Sequence, residues 1–439
     1  MKRLVKFYLT YFKNAHPVYF SLITSSSIIF ASSILSNILN FLFNLVTARN
    51  LSIEHYGILQ TMLNIFNIMN ILTVLVTLQL TKQLANYISQ RKRSSASAFV
   101  NKINLFVVIA GLITFIFFLL LNKILHISIG SVTSENLSFI ILLFILSFPV
   151  TVHKTFMKAN LLFMAFALNS VFQQTAKLIF SIPLLILGFK LQGVIWSLII
   201  SSILAFVYSV WQLRGRMFLN LFEKINFNVK TFTKESASTM IGFLGLTSLI
   251  STDLILVQHY IAQHAGLYAG LALFGKGLIL TTSPLGTVLF PLIINAKSNL
   301  VGKKLFKIAI FGVFALGLSI FLIYMLIPKQ IVGIALSTSY QAIVPLVPYY
   351  SLSILLYAVS YIIVTGFIAL NEFIPGYIAF LAAVLQIVGI FYLHNSLYDI
   401  VTVSLFINIV LAISLIAFAL LRLHTITKKY YDSKLLPIE

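Results

Sequence analysis

The sequence predicts an all-α integral membrane protein of about twelve transmembrane helices arranged in two halves of six. Three observations carry this. Of the 439 residues 60% are hydrophobic and only 9% charged, against about a quarter charged in a soluble chain. The apolar residues form continuous blocks of roughly 20, enough to cross a bilayer as a helix, with none of the repeated alternation of a barrel. The basic residues collect on alternate connections between those blocks.

In chain order, MKRLVKFYLTYFK opens an expected interfacial helix over 1–18. Leu4, Phe7, Tyr8, Tyr11 and Phe12 lie near one helical face and Lys2, Lys6 and Lys13 elsewhere, which suits anionic membrane lipids. No compact apolar core followed by a small-residue cleavage site appears there, so no cleavable signal is expected. Six spans follow at about 19–48, 57–81, 99–122, 136–158, 161–188 and 191–213, the N-lobe over 19–213. A cytoplasmic linker at 214–235 leads to a C-lobe over 236–423. Its spans fall at about 236–259, 265–295, 305–327, 342–370, 374–394 and 398–421, and a cytoplasmic tail covers 424–439.

With the N-terminus inside, the outer loops hold only Arg49, Lys123, Lys190 and Lys329. Lys177 and Lys276 lie within spans, and every other Lys and Arg of the 30 falls on the inner side. That bias places both termini in the cytoplasm and accounts for the net charge of +21 without nucleic acid. Cysteine is absent, which removes disulfides and thiol chemistry. No HExxH-type spacing or GxxxxGK[ST] loop is present, so no metal, no cofactor and no ATP-driven step is expected.

The halves carry a faint internal repeat. Setting Gly57 on Gly266 aligns NLVTARNLSIEHYGILQTMLNIFN with DLILVQHYIAQHAGLYAGLALFGK without a gap, and places Asp253 on Asn44 and Lys276 on Asn67. The helices then enter the membrane in the same sense in both halves, a parallel repeat. One half offers amides where the other offers ionisable groups, so the charged side of any cavity is expected in the C-lobe, with Lys177 as the exception.

Polar residues recur at helical spacing within the spans. Asn37, Asn40 and Asn44 form one stripe, and Gln60, Asn64 and Asn67 a second. Ser170, Gln173, Gln174 and Lys177 form a third. Glu235, Thr239, Gly242 and Asp253 share a face of the seventh span, and Lys276, Ser283 and Thr287 align in the eighth beside Pro284. Such stripes either bond one membrane helix to another or line a wet cavity. Asp253 and Lys276 are open to a third reading, as a structural pair. Glu235 and Arg49 sit near span ends, where water competes for them. In the tenth span Pro345 and Pro348 predict a broken approach to the helix, serving as a gate or as a plain turn.

The loop ARNLSIEHYG resembles the AR-x-L-x-x-x-x-YG turn of bacterial polysaccharide-biosynthesis membrane proteins, through Ala48, Arg49, Leu51, Tyr56 and Gly57. IAQHAGLYAG, with Gly266 and Tyr268, is similar to that family's turn after the seventh span, with Ala262 in place of the usual leading glycine. These are the O-antigen and capsule repeat-unit flippases, grouped with the lipid II flippase and the multidrug-and-toxin extruders. The resemblance implies two lobes around a central cavity opened to either leaflet in turn, in the bacterial inner membrane. It implies an undecaprenyl-pyrophosphate-linked oligosaccharide as substrate, and a polysaccharide polymerase and a chain-length regulator as partners. Lys177, Lys276 and Arg49 would then offset the pyrophosphate, and Asn37, Asn40, Asn44, Asn64, Asn67, Gln173 and Gln174 would meet sugar hydroxyls. Asp253 and Glu235 would serve ion coupling, or Asp253 a conformational latch with Lys276. Two other readings stand beside this one. A drug or metabolite antiporter would want an acidic cavity, whereas the deep charges here are two lysines to one aspartate. A membrane-embedded polymerase would need large outer loops, whereas those here are short, with Glu54, Glu135 and Asp399 as their carboxylates.

Overall fold

The computed structural model describes residues 17–215, 229–294 and 299–435. The expected interfacial helix lies outside the described residues up to residue 16, as does 216–228 of the expected linker. Within the described ranges the side chains of Glu235, Ser283, Pro284 and Thr287 are also outside what is described.

The described chain is helical throughout, its single β feature there an isolated bridge between Ile129 and Val132. The N-lobe contains α1 (Pro17–Asn50), α2 (Ile53–Met69), α3 (Ile71–Ser89), α4 (Arg93–Leu125), α5 (Ser134–Ala159), α6 (Phe163–Ile186) and α7 (Lys190–Leu213). The C-lobe contains α8 (Val229–Tyr260), α9 (Ala265–Ile294), α10 (Asn299–Leu326), the short α11 (Pro328–Ala335), α12 (Val347–Ala369), α13 (Ile374–Tyr392) and α14 (Leu397–Leu435).

Local chemistry sets the breaks. The Ser52 side chain accepts from His55 N and caps α2, and Thr133 accepts from Asn136 N and caps α5. The second predicted span is not one rod. At Asn70 the carbonyl is taken by both Thr73 N at 2.9 Å and Thr73 Oγ1 at 2.6 Å, a tight three-residue closure that separates α2 from α3. The broken approach to the tenth span is present as α11, a 3-10 stretch at Thr338–Leu346, and α12 with Pro348 in its first turn. The linker is shorter than expected, because α8 begins at Val229, and α14 runs on through Leu435 into the expected tail.

Eleven described helical segments are long and apolar enough to cross a membrane. The remaining expected span corresponds to α6, which has 24 residues; its Asn169, Gln173, Gln174 and Lys177 lower its hydropathy. The two lobes repeat one packing scheme. In the N-lobe α1 packs on α6, α6 on α7, α7 on α5 and α5 on α4. In the C-lobe α8 packs on α13, α13 on α14, α14 on α12 and α12 on α10. Across the lobes α1 meets α9, α2 meets both α8 and α9, and α3 meets α8. The aligned glycines of the repeat touch there. A Cβ on Gly57 would stand 2.6 Å from Gly266 N, and one on Gly266 would overlap the Ile53 carbonyl oxygen. Two bare backbones in contact close the lobes at this end.

Candidate functional site

Between the lobes lies a cavity of about 380 Å³. From α1 come Asn40 and Asn44, from α2 Asn64 and Asn67, from α6 Gln173, Gln174 and Lys177, and from α9 Lys276. Three stripes that lie far apart in sequence thus converge on one space, because α1 packs on α6 and α2 on α9. Ser147, Ser201 and Ser202 complete the polar part of the wall. Among the described residues no carboxylate lines it.

A hydrogen-bond chain runs between the two lysines. Lys276 Nζ donates to Gln60 Oε1, and Gln60 Nε2 donates to Asn44 Oδ1 at 2.9 Å. Asn44 Nδ2 donates to the Asn40 carbonyl at 2.7 Å, and Lys177 Nζ to Asn40 Oδ1 at 2.6 Å. Lys177 also stands 4.2 Å from the centre of the Phe43 ring, a cation–π contact. Lys154 on α5 donates to Gln173 Oε1 at 2.7 Å. Every one of these ammonium groups rests on a neutral amide, which solvates it without cancelling its charge.

Three expected site residues lie elsewhere. Asp253 is absent from the lining and makes no ion pair with Lys276. Its Oδ2 accepts from Tyr268 Oη at 2.7 Å and its Oδ1 from Leu254 N at 2.7 Å, 3% exposed within the C-lobe. Lys276 points across the lobe boundary to Gln60, which leaves the phenol as the partner of the carboxylate. Asn37 shares the α1 stripe but donates to the Leu280 carbonyl at 2.9 Å, and lines a separate apolar groove with Phe41 and Tyr324. Arg49 lies at the closed end, donating to the Ile334 and Ala335 carbonyls. The Glu235 side chain is outside the described residues.

Each lobe contributes one lysine to the lining, the amides come from the N-lobe as expected, and Asp253 is missing from the C-lobe wall. The N-lobe supplies the amides and Lys177. The C-lobe supplies Lys276 on a wall of Ile250, Ala272, Gly275, Ile279, Leu280, Tyr350 and Ile354. Asp253 sits behind that wall, separated from it by Tyr268, whose ring meets Tyr350 edge to face at 5.7 Å. Gln60 and Lys154 were not among the expected site residues. Gln60 had a signal, its place on the Asn64 and Asn67 stripe. Lys154 had none, since its position near the end of α5 reads as part of a basic inner connection.

The family model for polysaccharide biosynthesis proteins matches residues 22–297. No curated protein matches the chain significantly. Among solved structures, an inward-facing multidrug resistance MATE family transporter of the MOP superfamily superposes with a TM-score of 0.66 at 14% identity, over 92% of this chain and 99% of that one. An outward-facing form of such a transporter gives 0.65 at 12% identity over 93% and 96%. A MOP superfamily transporter from Pyrococcus furiosus Vc1, described as having a binding pocket of reversed polarity, gives 0.65 at 14% identity over 93% and 96%. The family match spans more than half of the sequence and the fold is shared along nearly the whole length, so this chain belongs to the polysaccharide biosynthesis protein family and has the fold of the MOP superfamily transporters it superposes on.

Proposed function

We propose that the protein moves an undecaprenyl-pyrophosphate-linked oligosaccharide repeat unit from the cytoplasmic to the outer leaflet of a bacterial inner membrane, by alternating access and with ion coupling. One observation carries the reading: Lys177 and Lys276, from opposite lobes, serve a single cavity whose described lining contains amides and no carboxylate. Two ammonium groups resting on neutral amides in a low-dielectric space favour a polyanion over a cation, which weighs against a cation antiporter. The amide wall suits sugar hydroxyls, since each amide offers both donors and an acceptor. With the basic connections on the cytoplasmic side, the Gly57–Gly266 end is the outer end, and the cavity stands on the cytoplasmic side of the closure. Asp253, in the C-lobe interior, is the candidate for ion coupling through Tyr268 and the cavity wall. A polysaccharide polymerase and a chain-length regulator would act on the delivered units.

The test is reconstitution in proteoliposomes with a labelled polyprenyl-pyrophosphate oligosaccharide and, separately, a cationic dye. Protein-dependent exposure of the glycan to an external glycosidase is the expected result. Dye movement with no glycan movement would replace this reading with the antiporter one.

A further inference from the structure

The closed end carries two contacts that the repeat relates to each other. In the register that sets Gly57 on Gly266, Arg49 at the C-terminal end of α1 aligns with Gln258 near the C-terminal end of α8. Each reaches the opposite lobe, and each reaches the same part of it, the connection between that lobe's third and fourth spans. Arg49 Nε donates to the Ala335 carbonyl at 3.0 Å and its Nη2 to the Ile334 carbonyl, the last carbonyls of α11, where the helix dipole favours a cation. Gln258 is 1% exposed and packs under the turn between α4 and α5. There Gly130, at φ +56°, approaches so closely that a Cβ would overlap the Gln258 carbonyl oxygen and stand 3.2 Å from Nε2. Thr61 of α2 donates to Gln258 Oε1 at 3.5 Å. These contacts flank the bare Gly57–Gly266 crossing.

We propose that Arg49 and Gln258 are the two halves of one gate. Each clasps the span-three-to-four connection of the other lobe, and the Gly57–Gly266 end opens only when both release. The halves are unequal. Arg49 holds by charge-assisted bonds to backbone carbonyls that need no particular side chain, whereas Gln258 holds by burial. Solved transporters of this fold include an outward-facing and an inward-facing form, so the lobes of such bundles do part at either end. The proposal does not depend on the cargo, and it stands or falls separately from the glycan reading.

The chain has no cysteine, so spin labels go on without a background. Labels at E54C and Q263C, equivalent exposed positions beside the closure, report its opening by double electron–electron resonance in the full chain in lipid nanodiscs. A second pair within the N-lobe, E135C and K190C, reports whether the lobe is intact. In R49A the longer E54C–Q263C distance should gain about tenfold over the shorter one, the size of one lost charge-assisted bond, while the intralobe distance holds. R49K should fall between, and R49A/Q258A should open further than either alone. An unchanged interlobe distribution in R49A, with the intralobe distance held, overturns the gate. Where R49A disturbs the intralobe pair, R49K decides: no shift there overturns it equally.

Discussion

Lys276 of the C-lobe donates to Gln60 of the N-lobe, and through Gln60 and Asn44 it joins the hydrogen-bond chain that ends on Lys177. The bond therefore does two things. It keeps a buried ammonium solvated, and it ties the lobes together beside the cavity. An anion entering the cavity competes with Gln60 for the same three donors.

Lys276→Ala removes one of the two cavity cations and this tie. Glycan translocation in proteoliposomes should fall by about tenfold or more, the cost of a charge-assisted contact made to the cargo, with the protein still purified as folded monodisperse material. Lys177→Ala should act in the same direction. Translocation at the parent rate in both variants would remove the cavity lysines from the mechanism.

Gln60→Glu replaces the neutral acceptor by a carboxylate and turns the tie into an ion pair. The charge offered to an anion is then cancelled, and separating the lobes costs more in the low-dielectric interior. Transport should fall while the midpoint of thermal unfolding holds or rises. Faster transport would mean that the Lys276–Gln60 bond has no part in gating.

Tyr268→Phe deletes the donor to Asp253 and leaves a buried carboxylate oxygen unmatched, at about 1–3 kcal/mol. A lower unfolding midpoint in detergent is expected, and Asp253→Asn in the same background should recover part of it. Exchanging the charges, D253K/K276D, should not restore transport, because the two side chains contact different partners. Recovery by the exchange would restore the latch reading.

Gly266→Ala puts a methyl group onto the Ile53 carbonyl in an interface made of backbone. The lobes can keep their folds but cannot close as they do here. The expected readout is greater accessibility of a Q263C thiol to a membrane-impermeant maleimide, while Gly333→Ala, a site with open space around it, leaves labelling as in the parent.

Reporter fusions after residues 92 and 225 should be cytoplasmic, and one after residue 330 periplasmic, as the charge bias requires. A reversal at any of the three would invert the orientation given to the closed end.

Hydropathy and charge are properties of short windows, so the sequence alone determined the helical membrane class and nearly every span. It also placed Asn40, Asn44, Asn64, Asn67, Gln173, Gln174 and Lys177 on single faces, since helical spacing is local. Lys276 stood out because an ammonium in an apolar run needs a partner. The tertiary structure decided which partner. Gln60 lies in the other lobe, and no spacing along the chain relates it to Lys276. The same holds for Asp253, whose burial behind Tyr268 depends on how α8 and α9 pack, and for Arg49, whose acceptors are carbonyls in α11 of the opposite lobe. Asn37 shows the limit within one helix: a stripe continues as far as the helix does, but the cavity ends where α9 closes over α1 at Leu280. Periodicity fixes a face, whereas the neighbour across it is set by packing between segments hundreds of residues apart.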